Sequence, residues 1–218
     1  MCRLLLVKSD REFSIPPFLK ELASISRNSK EYQGHGWGCS YLEGGEWKTY
    51  KNIKPIWEDD LGSFRGTTLL LAHSRSAFKD EGIAIENNMP FCDERHHFIF
   101  NGELRGVRIR EEGRTGAEKI FNFIKRFNKG NLVEALKKAT DIIKKRTSYI
   151  RAMNIVITDR LQSLVFSLYN EDPDYFTMFY IIEDGITVVC SESFGINSES
   201  FGKNAGWMSI CNDCVRVF

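Results

Sequence analysis

The stretch Met1-Cys2-Arg3-Leu4-Leu5-Leu6-Val7 decides how this chain is read. Loss of Met1 leaves Cys2 as the first residue, so one residue carries both a thiol nucleophile and a free α-amine. A nucleophile is thereby paired with its own base. The pKa values suit the pairing: an α-amine near ~7.8 is about one-seventh neutral at pH 7, a lysine near ~10.4 only about one part in a few thousand. On position alone, the commoner use of such a cysteine is as a small apolar residue opening a buried strand. The rest of the chain decides between the two uses.

With 218 residues, the chain is long enough for one sizeable core and is expected to be one domain over 1–218. A formal charge of +1 gives no overall field to attract nucleic acid or an anionic membrane, so neither is expected as a partner. No apolar run approaches the roughly 20 residues of a membrane span. The N-terminal run reaches charged Lys8, Asp10 and Arg11 too soon for a secretory signal. A cytoplasmic location with reduced thiols is the expectation. The 16 phenylalanines imply a core rich in aromatic packing.

Of six cysteines, only Cys211-Asn-Asp-Cys214 has redox-like or metal-like spacing. A zinc site wants further ligands, and His35, His73, His96 and His97 are not spaced to supply them. The pair is read as packing at a strand end, with no metal or cofactor.

Periodicity gives a coarse order of elements. Arg3–Val7 is a short buried strand. Pro16-Pro17 is read as a break before a helix over Phe18–Ile25. A turn at Gly34 feeds a strand to Leu42, and Gly44-Gly45 turns it back over Glu46–Lys51. Thr67–Ala72 and His97–Phe100 are further strands, and Asn101-Gly102 has the composition of a tight turn before Glu103–Val107. Ile120, Phe121, Phe123, Ile124 and Phe127 mark one amphipathic helix, and Leu132, Leu136, Ala139 and Ile143 a second. Strands then follow over Asn154–Thr158, Leu161–Leu168, Phe176–Ile182 and Ile186–Cys190, with a terminal strand pair in Trp207–Val217. Two strand-rich regions flanking a helical pair predict a layered α/β protein.

Four clusters stand in order behind Cys2. They are Gly34-His35-Gly36-Trp37-Gly38, Ala72-His73-Ser74-Arg75-Ser76-Ala77, the pair Asn88-Met89-Pro90-Phe91 and Phe100-Asn101-Gly102-Glu103-Leu104, and Cys190-Ser191-Glu192-Ser193. Together they resemble the class II glutamine amidotransferases of stand-alone type, which are N-terminal-nucleophile hydrolases. The first is similar to that family's Asp-Gly-Trp-Gly signature, with His35 at the Asp position. Each cluster alone is weak, but four in order behind an N-terminal cysteine are specific. The resemblance implies a four-layer αββα sandwich with mainly antiparallel sheets. It also implies cleavage of the glutamine side-chain amide through a Cys2 thioester, giving glutamate and ammonia.

What the resemblance implies for individual residues agrees with their chemistry. Attack on a carboxamide puts negative charge on its oxygen, and a preorganised donor there is worth about 3–4 kcal/mol at most. Asn101 offers a side-chain N–H, and Gly102 a backbone N–H with no Cβ in the way. Arg75 matches the arginine that holds the substrate carboxylate, which a guanidinium fits with two parallel bonds. Gly34 stands where a loop carbonyl comes near the nucleophile, and Ser76 where several members carry a large aromatic. Trp37 is read as structural. The chain departs from the pattern at Thr115-Gly116-Ala117-Glu118, where Gly116 replaces the Asp that binds the substrate ammonium. Glu118, Glu111 and Glu112 are the candidate substitutes. Any ammonia acceptor is expected on a separate synthase partner. Two alternatives stand beside this reading: hydrolysis of another γ-glutamyl amide, and a regulatory protein that keeps the fold without turnover. A retained Met1 would block the amine.

Overall fold

The protein is described by a computed structural model covering residues 1–77, 81–194 and 206–218. Its first strand, β1 (Arg3–Ser14), is longer than the apolar run suggests. Residues 3–7 are all buried because β1 lies inside a sheet covered on both faces. Leu4 and Leu6 enter one core and Leu5 and Val7 the other, as the two-residue period of a strand requires.

The helix α1 (Ile15–Arg27) begins before the expected break. Pro16 and Pro17 lie inside its first turn, where the missing N–H groups have no helical partner to lose. The strands β2 (Trp37–Glu43) and β3 (Glu46–Asn52) form the expected hairpin, with both turn glycines at positive φ. Next come β4 (Gly66–Ser74), the short β5 (Phe91–Cys92) and β6 (His97–Val107). The helices α2 (Gly116–Phe127) and α3 (Leu132–Lys145) are capped by the side chains of Thr115 and Asn131. The chain continues through β7 (Thr147–Thr158), β8 (Ser163–Ser167), a one-turn α4 (Pro173–Phe176), β9 (Phe179–Glu183), β10 (Ile186–Cys190), β11 (Met208–Ser209) and β12 (Cys214–Val217).

Two antiparallel sheets result, of order β11-β9-β10-β1-β4-β2-β3 and β12-β8-β7-β6-β5. The helix α1 packs on the outer face of the first sheet, among Leu5, Val7, Leu70 and Ala72. The helices α2 and α3 pack on the second, where Phe98 stacks on Phe121 with ring centroids 5.2 Å apart. The layers are therefore αββα, as the resemblance implies.

Three sequence expectations are corrected. Asn101-Gly102 is not a turn: both residues lie inside β6, opposite Asn154 and Met153 of β7. A Cβ on Gly102 would fall 2.1 Å from the Ala152 carbonyl oxygen, so this glycine serves close packing rather than a positive φ. The terminal strands do not pair with each other, since β11 joins the first sheet and β12 the second. Between them Cys211 and Cys214 form a disulfide, where the sequence reading has reduced packing residues. The turn that brings them together has Asp213 at φ +56°, and Asn212 bonds both the N–H and the carbonyl of Tyr169. Cys214 does also pack against the core. Among the described residues no helix is long and apolar enough to cross a membrane.

Candidate active site

Where β1 begins, four contacts fix the chain that follows Cys2. Leu4 donates its N–H to Ser191 Oγ at 2.8 Å, and its carbonyl accepts from the Ser191 N–H at 3.1 Å. Arg3 is buried, pairs with Glu192 at 2.9 Å and lies over the Tyr175 ring. The Cys190-Ser191-Glu192-Ser193 cluster thus anchors the strand that follows Cys2.

Cys2 lies at the floor of a cleft of about 930 Å³. Its sulfur accepts from the Ser76 N–H at 3.5 Å and faces the Ser76 carbonyl at 3.7 Å. Burial pushes the thiol pKa up; the N-terminal ammonium, the Ser76 N–H and Arg75 pull it down, and Glu31 adds to the rise. Burial prevails, so the resting state is the thiol.

Ser76 is itself held by the His35 loop. The His35 N–H donates to the Arg75 carbonyl, the Arg75 N–H donates to the Gly36 carbonyl, and His35 Nδ1 accepts from the Ala77 N–H at 2.9 Å. Gly36 sits at φ +103°, with the Asn88 side chain where a Cβ would go, so no other residue fits there. Trp37 is fully buried and donates its indole N–H to Asp59 at 2.8 Å, in agreement with a structural role.

Arg75 is 8% exposed. Its guanidinium donates to the Gly82 carbonyl at 2.9 Å and to Asn88 Oδ1 at 3.3 Å. Asn88 in turn donates to the Asn52 carbonyl. Asn88, the first residue of the Asn88-Met89-Pro90-Phe91 cluster, thus fixes the arginine fork. Burial lowers the Arg75 pKa and the neighbouring Cys2 raises it.

The opposite wall is β6. His73 Nε2 meets the Phe100 carbonyl at 3.2 Å, which ties β4 to β6 one residue before Asn101. Because Phe98 faces α2, strand alternation turns Ile99 and Asn101 toward the first sheet. Asn101 is fully buried, and neither its side-chain nitrogen nor its oxygen has a hydrogen-bond partner. It lies behind the cleft surface, which Gly102 itself lines. Met153, opposite Gly102, donates its N–H to Leu168 on the far side of β7. Antiparallel geometry then directs the Gly102 N–H away from β7, toward the open end of the sheet beyond β5.

Cys2, Arg75, Ser76 and Gly102 are therefore brought to one cleft, with Asn101 just behind. Gly34 is not among its lining residues; it packs beneath the Tyr32 phenol, and Glu31 of the same loop reaches the cleft instead. Glu118 does not line the cleft either. Its carboxylate caps the Arg114 N–H at 2.6 Å and pairs with the Arg114 guanidinium at 2.5 Å. Glu111 pairs with Arg126, and neither it nor Glu112 lines the cleft. Gly116 does line it, with open space where a Cβ would stand.

Glu31 went unnoticed in the sequence, where nothing in its polar loop marks it. Here it holds the Met1 ammonium at 2.5 Å and Arg151 at 3.1 Å. Burial raises its pKa, but these two cations outweigh that and leave the carboxyl below its ordinary value. The Met1 carbonyl accepts from the Tyr175 hydroxyl at 2.9 Å and from Gln33 Nε2.

No family model and no curated protein matches the sequence. Solved structures do. A protein described as a glutamine aminotransferase class-II domain protein from Silicibacter pomeroyi superposes with a TM-score of 0.66 at 14% identity, over 99% of this chain and 94% of that one. The allosteric regulatory enzyme of purine biosynthesis gives 0.69 at 15% identity, over 99% of this chain and 46% of that one. The glutamine phosphoribosylpyrophosphate amidotransferase of B. subtilis gives 0.62 at 16% identity, over 88% and 42%. The chain thus spans less than half the length of these last two enzymes. At such identities the likeness concerns the backbone: the fold of this chain is that of the class II glutamine amidotransferase domains.

Proposed function

We propose that residues 1–218 act as one amidohydrolase unit that cleaves the side-chain amide of glutamine, or a related γ-glutamyl amide, with Cys2 as nucleophile. The observation that carries this reading is the Cys2 thiol itself, next to the chain's N-terminus, seated against Ser76 and in the field of Arg75 at the floor of a cleft. After loss of Met1, the Cys2 amine takes the thiol proton and the thiolate attacks the amide carbon. Asn101 Nδ2 and the Gly102 N–H stabilise the oxyanion. Collapse of the intermediate breaks the C–N bond, and the α-ammonium protonates the leaving nitrogen. Water, deprotonated by the same amine, then releases glutamate from the thioester. Arg75 retains donors for the substrate carboxylate beyond those given to Gly82 and Asn88. With Glu118 bound to Arg114, we assign the substrate ammonium to Glu31, which already holds one ammonium in this cleft.

Intact mass should show loss of Met1, and the processed protein should release ammonia from glutamine or an amine from γ-glutamyl amides. A chloroketone analogue of glutamine should label Cys2 and spare Cys39, Cys92 and Cys190. Full activity in a protein with one Ala inserted between Met1 and Cys2 would overturn the mechanism. Glu31→Gln should narrow the preference for glutamine over 4-carbamoylbutanoate, which lacks the amine, by about tenfold. An unchanged preference would remove Glu31 from this role.

A further inference from the structure

The cleft is larger than glutamine requires. Its volume, about 930 Å³, lies near the top of the roughly 300–1,000 Å³ that hold drug-sized ligands. Cys2, Arg75 and Glu31 occupy its inner end. From Gly102 the lining runs out along β6 to Val107, a path of about 16 Å at ~3.3 Å per residue. Beyond lie Ile109 and the start of α2, with Ala117 and Ile120.

This outer half has its own chemistry. Leu104, Ile109 and Ala117 are half-buried, resting on the core while presenting apolar surface to the cleft. The cations that border it are Arg105, Arg114 and Lys119. Two are already committed, Arg105 to Glu103 and Arg114 to Glu118, each at 2.5 Å. Lys119 has no carboxylate within 4.0 Å among the described residues. Gly116, the first residue of α2, leaves open space beside it at the N-terminal end of a helix whose Glu118 N–H is already capped by Thr115. An apolar floor edged by an uncommitted ammonium and a helix start suits an apolar body bearing an anion. Free glutamine has neither on the nitrogen side of its amide.

We propose that the outer half of the cleft binds the amine portion of a γ-glutamyl conjugate, an amine with an apolar body and an anionic group. Such conjugates are the preferred substrates. This rests on the reading of Cys2 given above. The reaction is the same: the γ-amide C–N bond breaks, the amine leaves with a proton from the Cys2 ammonium, and water frees glutamate.

The test uses the processed protein with glutamine, γ-glutamylphenylalanine and γ-glutamylphenethylamine, the last lacking the carboxylate. The first conjugate should exceed glutamine in kcat/KM by about a hundredfold and the second conjugate by about tenfold, the worth of a hydrogen bond to a charged group. Lys119→Ala should erase most of the tenfold gap between the two conjugates. Binding to Cys2→Ala protein, followed by calorimetry, gives a readout without turnover. There γ-glutamylphenylalanine should bind at least tenfold tighter than glutamine, and Lys119→Ala should reduce that margin. Equal binding, or glutamine as the best substrate with Lys119→Ala altering no ratio, overturns the subsite while leaving the Cys2 mechanism standing. Preferential, Lys119-dependent binding without turnover or Cys2 labelling upholds the subsite and rejects the mechanism.

Discussion

Asn101 and Asn154 face each other across β6 and β7, and both are fully buried. Asn154 donates to the Phe176 carbonyl at 2.7 Å and accepts from Ser167 Oγ and the Leu168 N–H. Asn101 has no such partner. The same side chain, one strand apart, is a joint in one place and an uncommitted donor in the other. An unmet buried amide costs about 1–3 kcal/mol, so Asn101 is a liability to the fold unless something else uses it. The proposed mechanism supplies that use, and the contrast gives opposite expectations for stability and catalysis at two adjacent positions.

The largest effect should come from Asn101→Leu. Removing an oxyanion donor lowers kcat by about 10²–10³. Urea unfolding should show unchanged or increased stability, because a buried unpaired amide is gone. A variant that keeps its kcat and unfolds more easily would make Asn101 a second joint and dissolve the contrast.

Arg75→Lys comes next and examines the wall opposite Asn101. The charge stays, but the fork set by Asn88 and Gly82 is lost. Steady-state kinetics with glutamine should show kcat/KM lowered by about 2–4 kcal/mol of transition-state binding, with KM raised. An unchanged value would leave Arg75 as a strand-end residue.

Asn154→Ala should do the reverse of Asn101→Leu. It strands the Phe176 carbonyl and the Leu168 N–H, at a cost of about 1–3 kcal/mol in the urea midpoint. Per folded molecule, kcat should stay within a few-fold. A drop in kcat as large as that of Asn101→Leu would show that the pair acts as a unit.

These contrasts also mark what the sequence could disclose. The run after Cys2 and the helix of Phe121 and Ile124 were legible because burial selects apolar residues there, and the order of the motifs was legible through the resemblance they carry. Asn101-Gly102 misled, since local composition cannot distinguish a turn glycine from one that admits a neighbouring strand's carbonyl. Pro16-Pro17 misled for a similar reason, as a proline that breaks a helix interior also opens a first turn. Glu31 was invisible, because its significance lies in meeting Met1 and Arg151 across the chain. Glu118 was a fair nomination by position, but the cap at Arg114 had already claimed it.

The smallest effect, counted per pH unit, concerns His73, the link between the Cys2 wall and the Asn101 wall. Burial lowers its pKa to about 3, and the charges of Arg75 and Lys51 assist; the Phe100 carbonyl opposes them. The ring is therefore neutral, with Nε2–H donating to Phe100 and Nδ1 buried without a partner. In the unfolded chain the same ring takes up its proton near pH ~6.5. Between pH ~6.5 and about 3 the unfolded state thus binds more protons than the folded one. Stability is full above that window and falls as the pH drops through it, by up to about 1.4 kcal/mol per pH unit. His97, stacked on Trp47 with its pKa lowered to about 4 by burial, adds a similar slope above its own value. Urea midpoints measured from pH 7 to pH 4 should therefore fall less steeply in His73→Gln than in the parent, by about one proton's worth, and His97→Gln should remove a comparable share. Parallel curves for parent and His73→Gln would mean that the β4–β6 link does not sense acid, and that His73 is already protonated in the folded state at pH 4.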